Sequence, residues 1–360
     1  MRKVVTLLGA RPQFVKAAVL SRVIRKYNAI EEVIVHTGQH FDANMSNVFF
    51  EEMMIPKPTY NLDINSMSHG AMTGRMIEEI EKILELEKPD ALVIYGDTNS
   101  TIAGALAAKK MHIKIVHIEA GLRSFNMNMP EEINRILTDR ISDLLSCPSQ
   151  TAIDNLQKEG FDNLPILIEK HGDIMKDAVR YYSQFSAEKS SIIKDKKLLP
   201  NRFVLATLHR QENTDDEEKL KSIFIALEEI HKNHPVVLPL HPRTKAILEK
   251  LSIQPKIHLI DPVGYYSMLE LLKNCHLVIT DSGGLQKEAF FNKKQCIIVR
   301  EETEWLELIT HGFAKVVGSN TKTIIEAFEE YKDIKKDYSI DLYGNNVGEK
   351  IYQSIYQLIH

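Results

Sequence analysis

Short apolar runs alternate with amphipathic stretches along most of the chain. Residues 4–8 are β-rich and close on Gly9. Residues 13–26 then carry Phe14, Ala17, Ala18, Leu20, Val23 and Ile24 at helical spacing, behind Pro12, whose missing N–H costs nothing in a first helical turn. The alternation continues with strands over 30–36, 91–95, 113–118 and 144–148. Helices over 68–87 and 101–111 and one opening at Glu131 separate them. It weakens over 173–200, where a helical stretch at 173–185 leads into a lysine- and serine-rich segment with Pro200. It restarts with strands over 204–208, 236–240, 257–260, 277–280, 297–300 and 314–318, and helices over 217–233 and 283–291. Strands alternating with helices predict parallel sheets with right-handed crossovers. The expectation is an α/β protein of two Rossmann-like domains facing each other across a cleft. They would span residues 1–172 and 201–343, with a linker region at 173–200 and a final helix over 344–360 crossing back to the first domain.

Composition narrows the partners. In 360 residues, 45 basic and 49 acidic side chains leave a formal charge of −4, so no basic surplus exists to neutralise a nucleic-acid backbone. Cys147, Cys275 and Cys296 lie far apart in or after apolar runs, which predicts buried thiols in a reducing compartment. The apolar run at the N-terminus is too short for a signal peptide, and no run has the ~18–20 apolar residues of a membrane span. A cytoplasmic location is expected.

The polar residues that interrupt the pattern fall at the carboxyl ends of strands: Gly9-Ala10-Arg11, Gln39-His40, Asp97, His117 to Glu119, His209-Arg210, His241 and Asp281-Ser282. Taken alone, Thr98 or Ser282 reads as a helix cap. Seven such clusters on strand ends read as a shared site, because open α/β sheets bind ligands there. Ser282-Gly283-Gly284, between strand and helix, forms a phosphate seat or a capped tight turn. Glu288 lies farther along the same helix, within reach of ribose hydroxyls or on the surface. Arg11 suits a diphosphate, and Lys16 pairs with a carboxylate or is solvated. His209 follows a strand end, where a histidine protonates a leaving phosphate or holds its charge; His117, inside its strand, reads as a core histidine. Neither GxxxxGK[ST] nor GxGxxG occurs, nor any HExxH or Cys/His metal spacing. No cofactor and no metal are expected.

GARPQFVK, YGDTNST, HIEAGLRS, PEEINR, LHRQEN and TDSGGLQKE, in this order, resemble the non-hydrolysing UDP-N-acetylglucosamine 2-epimerases. The resemblance implies the architecture of the B class of glycosyltransferases, a homodimer, and a UDP-sugar as the partner. It also implies a chemistry. UDP leaves by elimination to a 2-acetamidoglucal and adds back after the opposite face of carbon 2 is reprotonated, giving the UDP-N-acetylmannosamine type of product for cell-surface polysaccharide precursors. By motif position, Asp97, Glu119 and Glu131 surround the sugar and Lys16 is the lysine of the first motif. His209 assists UDP departure, Arg11 and Ser282-Gly283-Gly284 hold the diphosphate, and Glu288 holds the ribose. Residues 263–268, after the strand over 257–260 and with Val263, Tyr265 and Met268, cradle the uracil, and His241, at the end of the strand over 236–240, is a further UDP-sugar contact. Gln39, His40 and Arg210 fall near positions where some relatives bind a second UDP-sugar. Which carboxylate is base and which is acid is left open.

The sequence departs from the family pattern at several points. Gln13 stands where a glutamate is usual, Trp305 where an arginine is usual, and Met268 where an aromatic is usual; the loop between Arg123 and Pro130 is short. GARPQF, HFDANMS, SFNMNMPEE and ETEW together are similar to the branch acting on UDP-2,3-diacetamido-2,3-dideoxyglucuronate. A substrate carboxylate needs a cation, for which Arg123, Arg210 and Arg243 are the candidates. A hydrolysing epimerase and a retaining glycosyltransferase of the same fold are the alternatives.

Overall fold

The computed structural model describes residues 1–39 and 55–360, apart from the side chain of Arg11. His40, and the HFDANMS segment that it opens, lie outside the described residues. The chain divides into two compact units, residues 1–178 with 341–360, and residues 179–340.

The first unit holds a parallel sheet of β1 (Arg2–Leu8), β2 (Ile30–His36), β3 (Tyr60–Asn61), β4 (Ala91–Tyr95), β5 (Lys114–Ile118), β6 (Leu144–Cys147) and β7 (Leu167–Lys170). Its order is β3-β2-β1-β4-β5-β6-β7, so the chain reverses its winding between β1 and β4. The central strands are continuous apolar runs because both their faces are covered. On one face Val5, Leu7, Leu92 and Ile94 pack against Met76, Ile80 and Leu84 of the helix His69–Glu87.

The second unit repeats the plan with β8 (Val204–Thr207), β9 (Val236–Pro239), β10 (His258–Ile260), β11 (Leu277–Thr280), β12 (Cys296–Ile298) and β13 (Ala314–Val316). The order β10-β9-β8-β11-β12-β13 puts its reversal between β8 and β11. Leu220, Ile223, Phe224 and Leu227 of the helix Glu217–His231 and Ile324 and Phe328 of the helix Thr321–Tyr331 cover one face. Residues 179–200 belong to this unit and carry two short helices, Ser186–Lys189 and Ile192–Asp195. The last helix, Val347–Ile359, belongs to the first unit, where Tyr352 stacks on Tyr27 with ring centroids 4.7 Å apart.

All three cysteines are free and buried. Burial pushes the Cys275 thiol up to about 12 and the other two higher than an ordinary thiol, so all three stay protonated at neutral pH.

Candidate active site

Each sheet gathers its polar residues at the strand ends beside its own winding reversal, where open α/β sheets hold ligands.

In the first unit β1 ends at Gly9-Ala10, and Gln13 in the next helical turn ties that end to β4. Its Oε1 accepts from the amides of Gly9 and Ala10 at 2.7 and 3.0 Å. Its Nε2 donates to Tyr95 O at 2.7 Å and to Thr98 Oγ1 at 3.0 Å. Thr98 caps the helix Asn99–Lys110, so the turn carrying Asp97 is held from both sides. One helical turn past Gln13, buried Lys16 pairs with Glu119. Gln39 accepts from the amide and hydroxyl of Ser100 at 3.0 and 2.7 Å, which binds the end of β2 to the same helix.

Glu119 is in the left-handed backbone region, with φ +72°. A non-glycine residue there carries strain of order 1 kcal/mol and persists only where its surroundings impose it. Here the amides of Glu119 and Ala120 both donate to Ser146 O at 3.1 Å. Gly121 follows at φ +79°, and a Cβ there would stand 2.6 Å from Ala152 O, so only glycine fits.

The helix Pro130–Ile141 completes this rim. Half-buried Glu131 opens it, with Pro130 in its first turn. Buried Arg135, one turn on, donates to Asp97 Oδ2 at 2.7 Å and approaches Glu132 Oε2 at 3.4 Å; its Nε donates to Glu131 O at 3.3 Å. Glu132 is fully buried and accepts from Ser124 N, Ser124 Oγ and Phe125 N at 2.9–3.1 Å, which fixes the start of the 124–129 loop. The spacing Glu131–Arg135 is one helical turn and was visible in PEEINR, yet Arg135 was not among the residues expected in the site.

Arg123, one of the cations expected to face a substrate carboxylate, has partners within the protein. Its guanidinium is buried and spent inside the protein, donating to both oxygens of Glu159 at 2.6 and 2.8 Å, to Asp139 Oδ2 at 2.7 Å and to Leu122 O at 2.7 Å. Burial opposes its charge, but the two carboxylates outweigh burial and raise its pKa. Glu159, Asp139 and Leu122 O thus hold the guanidinium in this structure. Arg243 is likewise engaged, with Asp215 at 2.5 and 2.7 Å.

In the second unit a buried carboxylate, Asp281, organises the rim. It accepts from the amides of His209 at 3.0 Å and Arg210 at 2.9 Å, and it lies 3.3 Å from His209 Nδ1. His209 is half-buried, with its ring 5.7 Å from that of exposed His241, the cap of the helix Pro242–Lys250. Ser282 caps the helix Gly283–Phe291. A Cβ on Gly284 would meet nothing within 4 Å, so the backbone there is open to close approach. A Cβ on Gly283 would stand 3.8–3.9 Å from Glu304 Oε2, Trp305 Nε1 and Arg210 Nη2, which gathers those three groups around the turn. Trp305, at the position of the family's arginine, is buried, and the Lys287 ammonium sits 3.8 Å from its ring centroid. Arg300, also buried, donates to Glu304 Oε2 at 3.0 Å. Lys287, Arg300 and Glu304 were not anticipated; Arg300 shares the strand-end signal that identified the others. Glu288 is buried on the same helix as the glycines. Val263 and Met268 are half-buried, and buried Tyr265 packs edge-on against Tyr182 with centroids 5.8 Å apart.

Among the described residues no group of three or more His, Cys, Asp or Glu is placed to hold a metal, and no helix is long and apolar enough to cross a membrane.

Two parallel α/β units, each with a polar rim at its winding reversal, define the class of nucleotide-handling enzymes with paired Rossmann-like sheets. Residues 22–356 match the family model for UDP-N-acetylglucosamine 2-epimerase. The chain is 54% identical over 326 residues, 90% of this chain and 91% of the other, to the UDP-2,3-diacetamido-2,3-dideoxy-D-glucuronate 2-epimerase of Pseudomonas aeruginosa. It is 41% identical over 360 residues, 97% of each chain, to the UDP-N-acetylglucosamine 2-epimerase of Methanocaldococcus jannaschii. The crystal structure of a Methanocaldococcus jannaschii UDP-GlcNAc 2-epimerase in complex with UDP-GlcNAc and UDP superposes with a TM-score of 0.92 at 40% identity over 99% of both chains. The Neisseria meningitidis UDP-GlcNAc 2-epimerase bound to UDP-GlcNAc gives 0.89 at 31% identity over 99% of this chain and 100% of that one. The chain belongs to the UDP-N-acetylglucosamine 2-epimerase family of enzymes.

Proposed function

We propose that this enzyme reversibly inverts carbon 2 of a UDP-N-acetylhexosamine without hydrolysing it, and that its substrate is UDP-2,3-diacetamido-2,3-dideoxyglucuronate in preference to UDP-N-acetylglucosamine. The observation that carries the reaction is the pairing on the first rim: Glu119 against Lys16 and Asp97 against Arg135, with Glu131 opening the adjoining helix. A nearby cation lets acidic side chains crowd around one substrate without mutual exclusion. The sugar preference is supported by the 54% identity to the Pseudomonas aeruginosa enzyme.

In this reading a carboxylate of the first unit takes the proton from carbon 2. The C1–O bond breaks, its electrons leave with UDP, and a C1=C2 double bond remains. A proton then enters at the other face of carbon 2, and the UDP oxygen returns to carbon 1. The second unit holds the leaving diphosphate. The open turn at Ser282-Gly283-Gly284 supplies amides and the positive end of a helix, and Arg210 and His209 supply charge. Glu288 serves the ribose, and Val263, Tyr265 and Met268 the uracil. Arg210, whose guanidinium lies beside the Gly283 turn, is a candidate for the substrate carboxylate. The family resemblance supports a homodimer and a role in polysaccharide precursor synthesis; sedimentation at micromolar concentration tests the first. Buried free cysteines suit a cytoplasmic enzyme.

The test is incubation of each UDP-sugar, with and without the carboxylate, in heavy water. Deuterium at carbon 2 in both epimers with total UDP-sugar conserved is the expected result, and faster for the diacetamido uronate. Net release of UDP and free sugar would mean a hydrolysing epimerase. An unlabelled, unconverted UDP-sugar would fit a glycosyltransferase awaiting an acceptor.

A further inference from the structure

Asp139 lies two helical turns beyond Glu131 on the helix Pro130–Ile141 and is fully buried. Its Oδ1 is 2.7 Å from His117 Nδ1, and the other nitrogen of that ring, Nε2, is 2.7 Å from Gly96 O. Gly96 immediately precedes Asp97. Asp139 Oδ2 accepts from Gly121 N at 3.1 Å and from Arg123 Nη1 at 2.7 Å, and Arg123 in turn donates to Leu122 O. Gly121 stands two residues after Glu119. Asn155 adds a bond to Gly121 O at 3.1 Å. One carboxylate therefore joins the strand-end turn of β4, the strand-end turn of β5 and the helix that begins at Glu131.

We propose that Asp139 is a positioning residue for epimerisation, holding in register the three segments that carry Asp97, Glu119 and Glu131. The proposal rests on those three being the acid/base groups. His117 acts as the strut between Asp139 and Gly96, and Arg123 secures the second oxygen. The need for a carboxylate follows from its partners. The Gly121 amide and Arg123 both present donors to Oδ2, and His117 Nδ1 presents a ring N–H to Oδ1, so both oxygens must accept. An asparagine at 139 has one oxygen and one NH2. With its NH2 toward Gly121 N and Arg123, a donor faces donors; with its NH2 toward His117, the ring keeps the bond only by giving up its Nδ1 proton, and Arg123 meets a neutral oxygen in place of a carboxylate, so the anchor of one turn or the other is weakened. Reacting groups displaced by about 1 Å lose on the order of 100-fold in rate, whereas substrate contacts elsewhere are untouched.

Three proteins make the test: wild type, Asp139→Asn and Glu159→Gln. Glu159 binds the outer side of Arg123 and touches neither turn, so its variant perturbs the same buried network without releasing the rim. We expect Asp139→Asn to lower kcat ~10- to 100-fold, with KM and the Kd for UDP within ~2-fold of wild type. Glu159→Gln should keep kcat within ~2-fold at a comparable loss of Tm. If the two variants lose kcat in proportion to Tm, Asp139 is merely structural and the proposal fails. Should Asp139→Asn not fold, His117→Phe cuts only the strut to Gly96, and the same kcat loss at constant KM is expected; unchanged kcat overturns the proposal. A wild type that neither converts nor deuterates either UDP-sugar removes the epimerase reading itself, and this inference with it. The two failures are thus distinguishable.

Discussion

Residue by residue, the chemistry-bearing positions were legible because they interrupt an apolar pattern at strand ends, where backbone geometry leaves little choice of location. The partners were less legible. Arg123 looked available because a sequence does not show that Asp139 and Glu159, 16 and 36 residues on, fold back onto it. Gln13 had the opposite fate: it was noticed only as a departure from a glutamate, and it proves to be a junction. Its amide nitrogen donates to Tyr95 O, a carbonyl that cannot donate in return. Gln13→Glu would set a carboxylate oxygen against that carbonyl. The expected loss is ~1–3 kcal/mol, the usual range for a buried group left without its partner. Urea unfolding should show the deficit at pH 8 and a smaller one at pH 5, where a protonated glutamate supplies the missing donor. The site carboxylates are tested by rate, not stability. Glu119→Gln and Glu131→Gln should each lower kcat at least ~100-fold, the scale of losing acid/base assistance; near-normal turnover in both would overturn their assignment.

At the scale of elements, strands such as Ala91–Tyr95 and Leu277–Thr280 read directly from sequence because burial on both faces makes them apolar runs. Edge strands did not. Tyr60–Asn61 is two residues long, and Leu167–Lys170 is half exposed, so neither carries enough apolar signal. The helices Gln150–Lys158, Pro242–Lys250, Tyr265–Asn274 and Thr321–Tyr331 were also missed. They are short or lie close to stronger signals, and each gains its stability from the sheet it covers rather than from its own pattern. Turns between elements carry the site's precision. Gly121 sets the path from Glu119 into the Ser124–Met129 loop, with a positive φ and Ala152 O where a side chain would go. Gly121→Ala should therefore destabilise the protein by ~1–3 kcal/mol through backbone strain and the forced shift of Ala152. It should also lower kcat, because the shift passes to Glu119. Equal kcat at reduced stability would show that Glu119 is fixed by Ser146 alone.

At the scale of the whole chain, the sequence signals a last helix but not what ties it down. The tie is a buried cluster in the first unit. His171 follows β7, with Nδ1 2.9 Å from Ser146 Oγ, beside the site's own anchor at Ser146 O, and Nε2 2.9 Å from Ser354 Oγ on the last helix. Ser354 Oγ also donates to Glu169 Oε2 at 2.5 Å, and the Gly348 amide donates to Asp177 at 2.9 Å. Burial lowers the pKa of His171, against the pull of Glu169 and with the push of Lys350. The sign of the consequence follows from linkage. The folded form prefers a neutral ring more than the unfolded form does, whose histidine titrates near the ordinary ~6.5. The contribution is thus complete above about pH 6.5 and is lost as pH falls through the lower folded value. Hydrogen exchange of the amides in Val347–Ile359, corrected for intrinsic rates, should show protection falling between pH 7.5 and 5 relative to β1. In His171→Gln, which keeps a side chain able to bond both serines but does not titrate, the same helix should show a flat difference over that range. Parallel slopes in the two proteins would place the acid sensitivity elsewhere. A slope confined to the wild type would make the closure of the first unit by the chain's last helix a pH-dependent step, and Ser146 O, which holds Glu119, would loosen with it.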